Sequence, residues 1–382
     1  MAFSLFKKKN YADKLFTAAK VYTLDDEIPE ASAVAVKNGV ILAAGDEEDL
    51  RSMIGPDTER IDLSGKFIIP GFIALNASCA EEVTKDILKT EASPAEETED
   101  GEGEEDTDET EAESQGALAP SEEDLRIMDE YNAALEKKQR ELEAAYHEKG
   151  FTSVLSLETD RRSDIYKDVL MQMFQDGTSG IRYFGSFAIS SPADPRMLLT
   201  FLENRRVSCL ELGDMISFNS LDIFNSSAEG SSNYMSEDYL RACSKLVASH
   251  GFCIRFTPTD RKAVLAALDI AGELSESYPK QAFSVRHEEE FTDEELSEVY
   301  SGNAAVFDSK SKSWEGAAEE INKRTLEAAH AMGKGKLLGS IENGKAADFA
   351  VFDKDPFLAA TKEEFDALRA SKIIIAGNIS EL

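Results

Sequence analysis

The feature that most constrains this chain is Pro70-Gly71, set between two apolar runs. Phe67-Ile68-Ile69 leads into it and Phe72-Ile73-Ala74-Leu75 leaves it. Proline has no N–H to give to a ladder, and glycine accepts backbone angles that other residues refuse. The pair predicts a break between two strands, so the chain changes direction or partner there. Everything before it reads as β. Leu15–Leu24 is rich in strand formers, and Ala33–Val36 and Val40–Ala43 flank Lys37-Asn38-Gly39. Asn-Gly supplies the positive φ angles of a tight hairpin turn. A short helix is expected from Glu47 to Met53, with extended chain again at Arg60–Leu63.

Beyond the break the pattern changes to alternating helices and strands. Ser121 with Asp124 resembles a capping box, and Leu125, Met128, Tyr131, Leu135, Leu142 and Tyr146 follow at helical spacing. Gly150 stops that helix and Thr152–Leu157 reads as a strand. Further expected elements are a helix at Asp164–Gln175, a strand at Ser179–Phe184, a helix at Pro195–Asn204 and a strand at Val207–Leu212. Glu237–His250, Phe252–Phe256 and Asp260–Ser275 read as helix, strand and helix, and Glu319–Met332 as a last long helix. Such βα alternation predicts a parallel barrel or sheet. The stretch 91–121 interrupts it. Glu96–Asp106 carries no apolar residue, so it cannot offset its ordering entropy by burial, and a disordered acidic insert is expected.

Several phrases carry a resemblance. "D-x-x-G-K…P-G-F-I" is formed by Asp62, Gly65, Lys66, Pro70, Gly71, Phe72 and Ile73. Near the C-terminus, Gly339–Asp353 reads "GSIENGKAADFAVFD" and is followed by Asp355-Pro356. Together they resemble the entrance to the barrel and the closing sandwich segment of the amidohydrolase superfamily. The resemblance sits closest to amidohydrolase family 3, the N-substituted formamide deformylase-like branch, with this chain a shortened and degenerate member. It implies an α/β fold: a partial or shortened TIM-like (β/α) barrel over 76–90 and 122–335, and a composite β-sandwich built from both termini, 12–75 and 336–382. The activity implied is metal-dependent hydrolysis of non-peptide carbon–nitrogen bonds.

The same resemblance locates the site and finds it depleted. In the family, two histidines one residue apart on the first barrel strand hold a metal, and Asn76 and Ser78 stand at those positions. "ASHGFCIRFTPTD" puts Phe256 where a later histidine belongs, while Asp260 survives. "FSVRHEEEF" puts His287 at a metal-ligand position. The family's proton-accepting aspartate has Asp308 as its nearest counterpart, and Glu211 is the one carboxylate near the mid-barrel ligand. Amide and hydroxyl oxygens are poor zinc ligands, and phenylalanine is none. Of the four histidines, His147 and His250 read as helix C-terminal residues favoured by the dipole, and His330 as a structural residue of the last helix, away from the strand ends. Glu288, Glu289 and Glu290 are extra carboxylates beside a capping box at Thr292–Glu295. Cys79 beside Ser78 is a nucleophile candidate without a neighbouring base.

Two readings stay open. One is an active hydrolase with a rearranged one-metal site at His287, holding a divalent ion such as zinc. The other is a pseudoenzyme with no cofactor, which site chemistry favours. The net charge of −33 argues against nucleic acid as partner, leaving an unknown small molecule or protein, or a second copy. Four cysteines without CxxC spacing suit a reducing cytoplasm. No apolar run reaches spanning length, and Phe3–Phe6 before Lys7-Lys8-Lys9 reverses the order of a signal peptide.

Overall fold

The computed structural model describes residues 11–84, 121–158, 162–207, 210–287, 305–308 and 314–380, with only the backbone described at some positions, Asn76 and Asp308 among them. The acidic stretch up to Pro120 and the segment Glu288–Glu295 lie outside these residues.

Two seven-stranded sheets organise the chain. The first is mixed and draws on both termini: β1 (Lys14–Tyr22), β2 (Glu30–Lys37), β3 (Val40–Gly45) and β4 (Glu59–Pro70) join β12 (Phe349–Phe352), β13 (Ala370–Ile375) and β14 (Asn378–Ser380). Its order is β14-β13-β12-β4-β1-β2-β3. β1 lies parallel to β4 and antiparallel to β2, and β12 lies antiparallel to β4. The sheet curls around Phe16, Val34, Ile68, Phe349, Val351 and Ile374, which all bury into one cluster. The bridge between Val40 and Ala346 ties β3, at one edge, to the segment that leads into β12. The β2–β3 turn has φ of 50° at Asn38 and 76° at Gly39, the two positive angles a tight primed turn requires.

The second sheet is parallel throughout, in the order β11-β10-β9-β8-β7-β6-β5. Its strands are β5 (Phe72–Ala77), β6 (Phe151–Glu158), β7 (Arg182–Ile189), β8 (Ile216–Asn225), β9 (Cys253–Pro258), β10 (Phe283–His287) and β11 (Ala305–Asp308). The connecting helices are α1 (Cys79–Thr84), α2 (Glu122–Glu148), α3 (Arg162–Gln175), α4 (Pro195–Val207), α5 (Glu237–Ser249) and α6 (Arg261–Ser277). Their apolar stripes meet the strands in two clusters, around Leu135, Tyr166 and Tyr183, and around Leu240, Val247, Phe256 and Leu268. The strands form a curled half-barrel. Two short helices, α7 (Ala317–Arg324) and α8 (Leu326–Ala331), pack at its open side, and α8 touches both outermost strands, β5 and β11. Ala328, Ala329 and Met332 there bury against Ile73, Leu155 and Phe184 of the inner face. One more short helix, α9 (Lys362–Asp366), belongs to the C-terminal segment.

Pro70-Gly71 is the crossing between the sheets. β4 ends on Pro70 against β12, and β5 begins at Phe72 against β6. A Cβ on Gly71 would lie 2.1 Å from Thr152 Oγ1, so only glycine lets the chain pass. A buried ion pair fastens the sheets beside it. Arg182 at the start of β7 donates to the Asp348 carboxylate through Nε and, at 3.1 Å, through Nη2. Asp348 also accepts from the Ala376 amide at 2.8 Å.

Two expected elements are corrected. The strand expected over Val207–Leu212 is corrected at its described residues: Val207 ends α4, and Leu210–Met215 is a 3-10 turn leading into β8. A short apolar run has no periodicity to separate strand from helix end. β8 itself hides its alternation, because its register shifts opposite Gly185, where Phe218 packs into the space a Cβ would fill. The helix expected over Glu319–Met332 is two. Thr325, at φ −126° and ψ −89°, is buried and turns its Oγ1 back to the Ile321 carbonyl at 2.6 Å, which breaks the run.

Candidate functional site

The C-terminal ends of parallel barrel strands are where side chains from different strands converge, so the site is built there. β5 brings Asn76 in its last turn of strand and Ser78, half-buried, just beyond it. Ala77 lies in register with Ser156, and the Cys79 amide donates to Ser156 Oγ at 3.2 Å. Cys79 itself is buried in the helix-side cluster.

Strand alternation decides what the later strands offer. In β9, Ile254 and Phe256 both bury among Val264, Leu268 and Val285 on the helix side. Arg255 lies between them and faces the other way. In β10, Phe283 and Val285 take the helix side, and His287, two residues on, is buried with the same parity. β10 and β11 pair so that His287 and Asp308 are backbone partners. The two site candidates from the end of the barrel are therefore adjacent in register. Asp260 does something else. It caps α6 through the Ala263 amide at 2.9 Å and accepts from Ser226 Oγ, Ser227 Oγ and the Ser227 amide at 2.6–2.8 Å. Burial opposes its charge, but these four donors outweigh it and hold the carboxyl at about 2.

The remaining histidines lie apart from the strand ends. His250 caps α5, with Nδ1 3.1 Å from the Leu246 carbonyl, and His330 is exposed with Nδ1 3.0 Å from the Leu326 carbonyl. His147 lies in the last turn of its helix, as expected. It is buried at the end of α2, and burial pushes its imidazole below the ordinary value, against a hydrogen bond with the Gly180 backbone that favours the charged form. Four residues earlier, Glu143 is buried too. Burial raises its carboxyl despite hydrogen bonds from Gly180, Gln139 and Ser179.

Sequence reasoning missed the polar chain on the inner face of the half-barrel. Asp222 of β8 is fully buried and accepts from Arg255 of β9 through Nε at 2.9 Å and Nη2 at 2.6 Å. Its other oxygen accepts from Ser186 Oγ of β7, also buried. Glu211 lies before β8, so the carboxylate that the middle of the barrel carries is Asp222. Its signal was present: "SLDIF" and "CIRFTP" each hold one charge inside an apolar strand, and the charges are opposite. Chemically the chain is a satisfied ion pair. The carboxylate has its counter-charge and the guanidinium cannot act as a base. Among the described residues, no three of His, Cys, Asp or Glu group so as to hold a metal ion.

Comparisons with known proteins agree with this architecture. A family model described as "Amidohydrolase family" matches residues 311–380. An N-substituted formamide deformylase of Arthrobacter pascens is 41% identical over 61 residues, 16% of this chain and 11% of the relative. The protein LONG AFTER FAR-RED 3 of Arabidopsis thaliana is 39% identical over 62 residues, again 16% of this chain and 11% of the relative. The matches thus span about a ninth of those relatives. Among solved structures, a triazine hydrolase from "Arthobacter aurescens" superposes with a TM-score of 0.59 at 13% identity, covering 96% of this chain and 94% of the other. A zinc-bound adenosine deaminase from Xanthomonas campestris gives 0.59 at 13%, covering 97% and 93%. At such identities the likeness is one of fold.

Proposed function

This chain belongs to the amidohydrolase superfamily, and from that premise we propose that it is a non-catalytic member, a barrel that binds or assembles and does not hydrolyse. The observation that carries this reading is the buried Asp222–Arg255 pair. A hydrolytic site of the superfamily needs a divalent ion to polarise a carbonyl and to make hydroxide near neutral pH. Here an inner-face carboxylate is neutralised by a guanidinium, which supplies the positive charge and has no open coordination position. Two of the positions where the superfamily carries metal-binding histidines offer no zinc ligand of comparable strength. Ser78 offers a hydroxyl, and Phe256 lies in the helix-side core. No cofactor is therefore assigned.

A small molecule, a protein or a second copy of the chain is the partner this reading leaves. Cys79, Cys243 and Cys253 form no disulfide, which suits the reducing cytoplasm. Among the described residues no helix is long and apolar enough to cross a membrane. One observation favours a second reading, an active enzyme with a single metal: His287 and Asp308 are backbone partners at the end of the sheet.

The test is metal content and turnover. Protein purified without chelator is expected to carry well under one zinc per chain. It should not turn over N-acyl or N-formyl amides when zinc, manganese or iron is restored. A ratio near one, with turnover lost in His287→Ala, would falsify the proposal and establish the second reading.

A further inference from the structure

Two buried titratable groups lie one turn apart on α2 and close on the same glycine. Glu143 is 5% exposed and His147 3%. The Glu143 carboxylate accepts from the Gly180 amide at 2.9 Å, from Ser179 Oγ at 2.8 Å and from Gln139 Nε2 at 2.8 Å. Gln139 is held in turn by Tyr166 of α3, whose hydroxyl donates to its Oε1 at 2.6 Å. A Cβ on Gly180 would lie 3.2 Å from His147 Cε1, 3.3 Å from Ser380 Oγ of β14 and 3.5 Å from Glu143 Oε2. Gly180 is thus gripped between the end of α2 and the last strand of the mixed sheet. Two residues on, Arg182 makes the ion pair that joins the two sheets, so the grip holds the chain just before that joint.

Among the described residues neither group has a counter-charge. The three donors to Glu143 are neutral, and exposed Arg140, which acts on it from one turn away, is itself paired with Glu136 at 2.5 Å. His147 Nε2 is buried and has no hydrogen-bond partner there. The other elements packed on α2 do not supply the missing charge. Tyr166 of α3 is bonded to Gln139, Cys79 and Glu82 of α1 act on Tyr146, and Arg369 before β13 takes Glu148 at 2.8 Å. β6 carries its one titratable residue, Glu158, at its far end. Burial therefore drives both groups towards the uncharged form, raising the Glu143 carboxyl and lowering the His147 imidazole.

We propose that Glu143 and His147 act as one proton-exchanging clasp, which keeps α2 fastened to Ser179-Gly180 through a fall in pH that either residue alone would make felt. When the clasp opens, both groups meet water and titrate near their ordinary values, about 6.5 for the imidazole and about 4.3 for the carboxyl. As pH falls below neutral, the open form takes its proton at His147, which favours opening. The closed form takes its proton at Glu143, which favours closing. Opening then hands the proton from the carboxyl to the imidazole with little net exchange, and the two dependences offset.

The test is amide exchange at Gly180, corrected for the intrinsic rate, in the full-length protein between pH 7 and pH 5. The parent is expected to keep its protection within about twofold, and so is the double variant Glu143→Gln with His147→Gln. Glu143→Gln alone leaves the imidazole uncompensated, and protection is expected to fall at least about threefold as pH drops. His147→Gln alone leaves the carboxyl, and protection is expected to rise at least about threefold over the same range. A merely structural contact would shift protection by the same factor at every pH. The proposal is overturned if either single variant stays flat, if the two slopes share a sign, or if the parent is as steep as a single variant. Should a variant fail to fold, the parent carries the test through carbon NMR of the two side chains. The His147 ring is expected to stay neutral below about pH 6, where a free imidazole is mostly charged, and an ordinary midpoint for either group overturns the clasp.

Discussion

Replacing Arg255 by methionine tests whether the inner face is held by charge pairing. Asp222 is fully buried and receives two N–H donors from Arg255 and one hydroxyl from Ser186. Arg255→Met removes both charged donors and leaves a buried carboxylate with Ser186. Breaking a buried pair from one side costs about 3–5 kcal/mol. With a urea dependence of about 3 kcal/mol per M, the unfolding midpoint falls by roughly 1–1.7 M. Replacing both partners, Arg255→Met with Asp222→Leu, removes the uncompensated charge and is expected to recover to within about 1 kcal/mol of the parent. The assay is urea unfolding followed by circular dichroism, with zinc added in a parallel series. A loss under about 1 kcal/mol in the single variant, or a double variant no better than the single, refutes the reasoning. So does zinc that stabilises the parent but not Asp222→Asn, because Asp222 would then be a metal ligand.

Two further outcomes follow from the geometry. Asp260→Ala is expected to cost about 1–2 kcal/mol above pH 4, where the cap carries its charge. Its folded carboxyl sits at about 2 against an unfolded value near 3.9. The stability it contributes is therefore present above about pH 4 and lost as pH falls through about 2, and the gap between parent and variant should close over that window in pH-resolved urea unfolding. A gap independent of pH would count against the charged cap. Gly71→Ala is expected to lower stability by about 1–3 kcal/mol, because the new methyl meets Thr152 at 2.1–2.7 Å. An unchanged thermal transition would show that the crossing has room the geometry denies.

Much of the architecture was legible along the chain because its signals are local. Asn38-Gly39 wrote the β2–β3 turn, and Gly150 and Gly251 marked the helix ends before β6 and β9, each at positive φ. The strand at β8 was not legible. Its apolar run is broken by polar residues and by a register shift that swaps the faces at Phe218. A period-2 pattern with one extra residue no longer reads as a period. The expected helix at Glu319–Met332 failed for a related reason: Thr325 is an acceptable helix residue by propensity, and only its burial and backbone angles break the run.

The candidate site divides along the same line. Sequence alone determined which chemistry is scarce, since Asn76, Ser78 and Phe256 are what they are in any fold. It also marked Pro70-Gly71 as a break between two strands. The tertiary structure decided which of the remaining groups meet. It put His287 beside Asp308, turned Phe256 to the helix side, made Asp260 a cap and set Asp222 against Arg255. Residue type is a property of one position, whereas pairing depends on strand order, register and parity. Those are fixed by hydrogen bonds and packing between segments distant along the chain, and no local pattern in the chain encodes them.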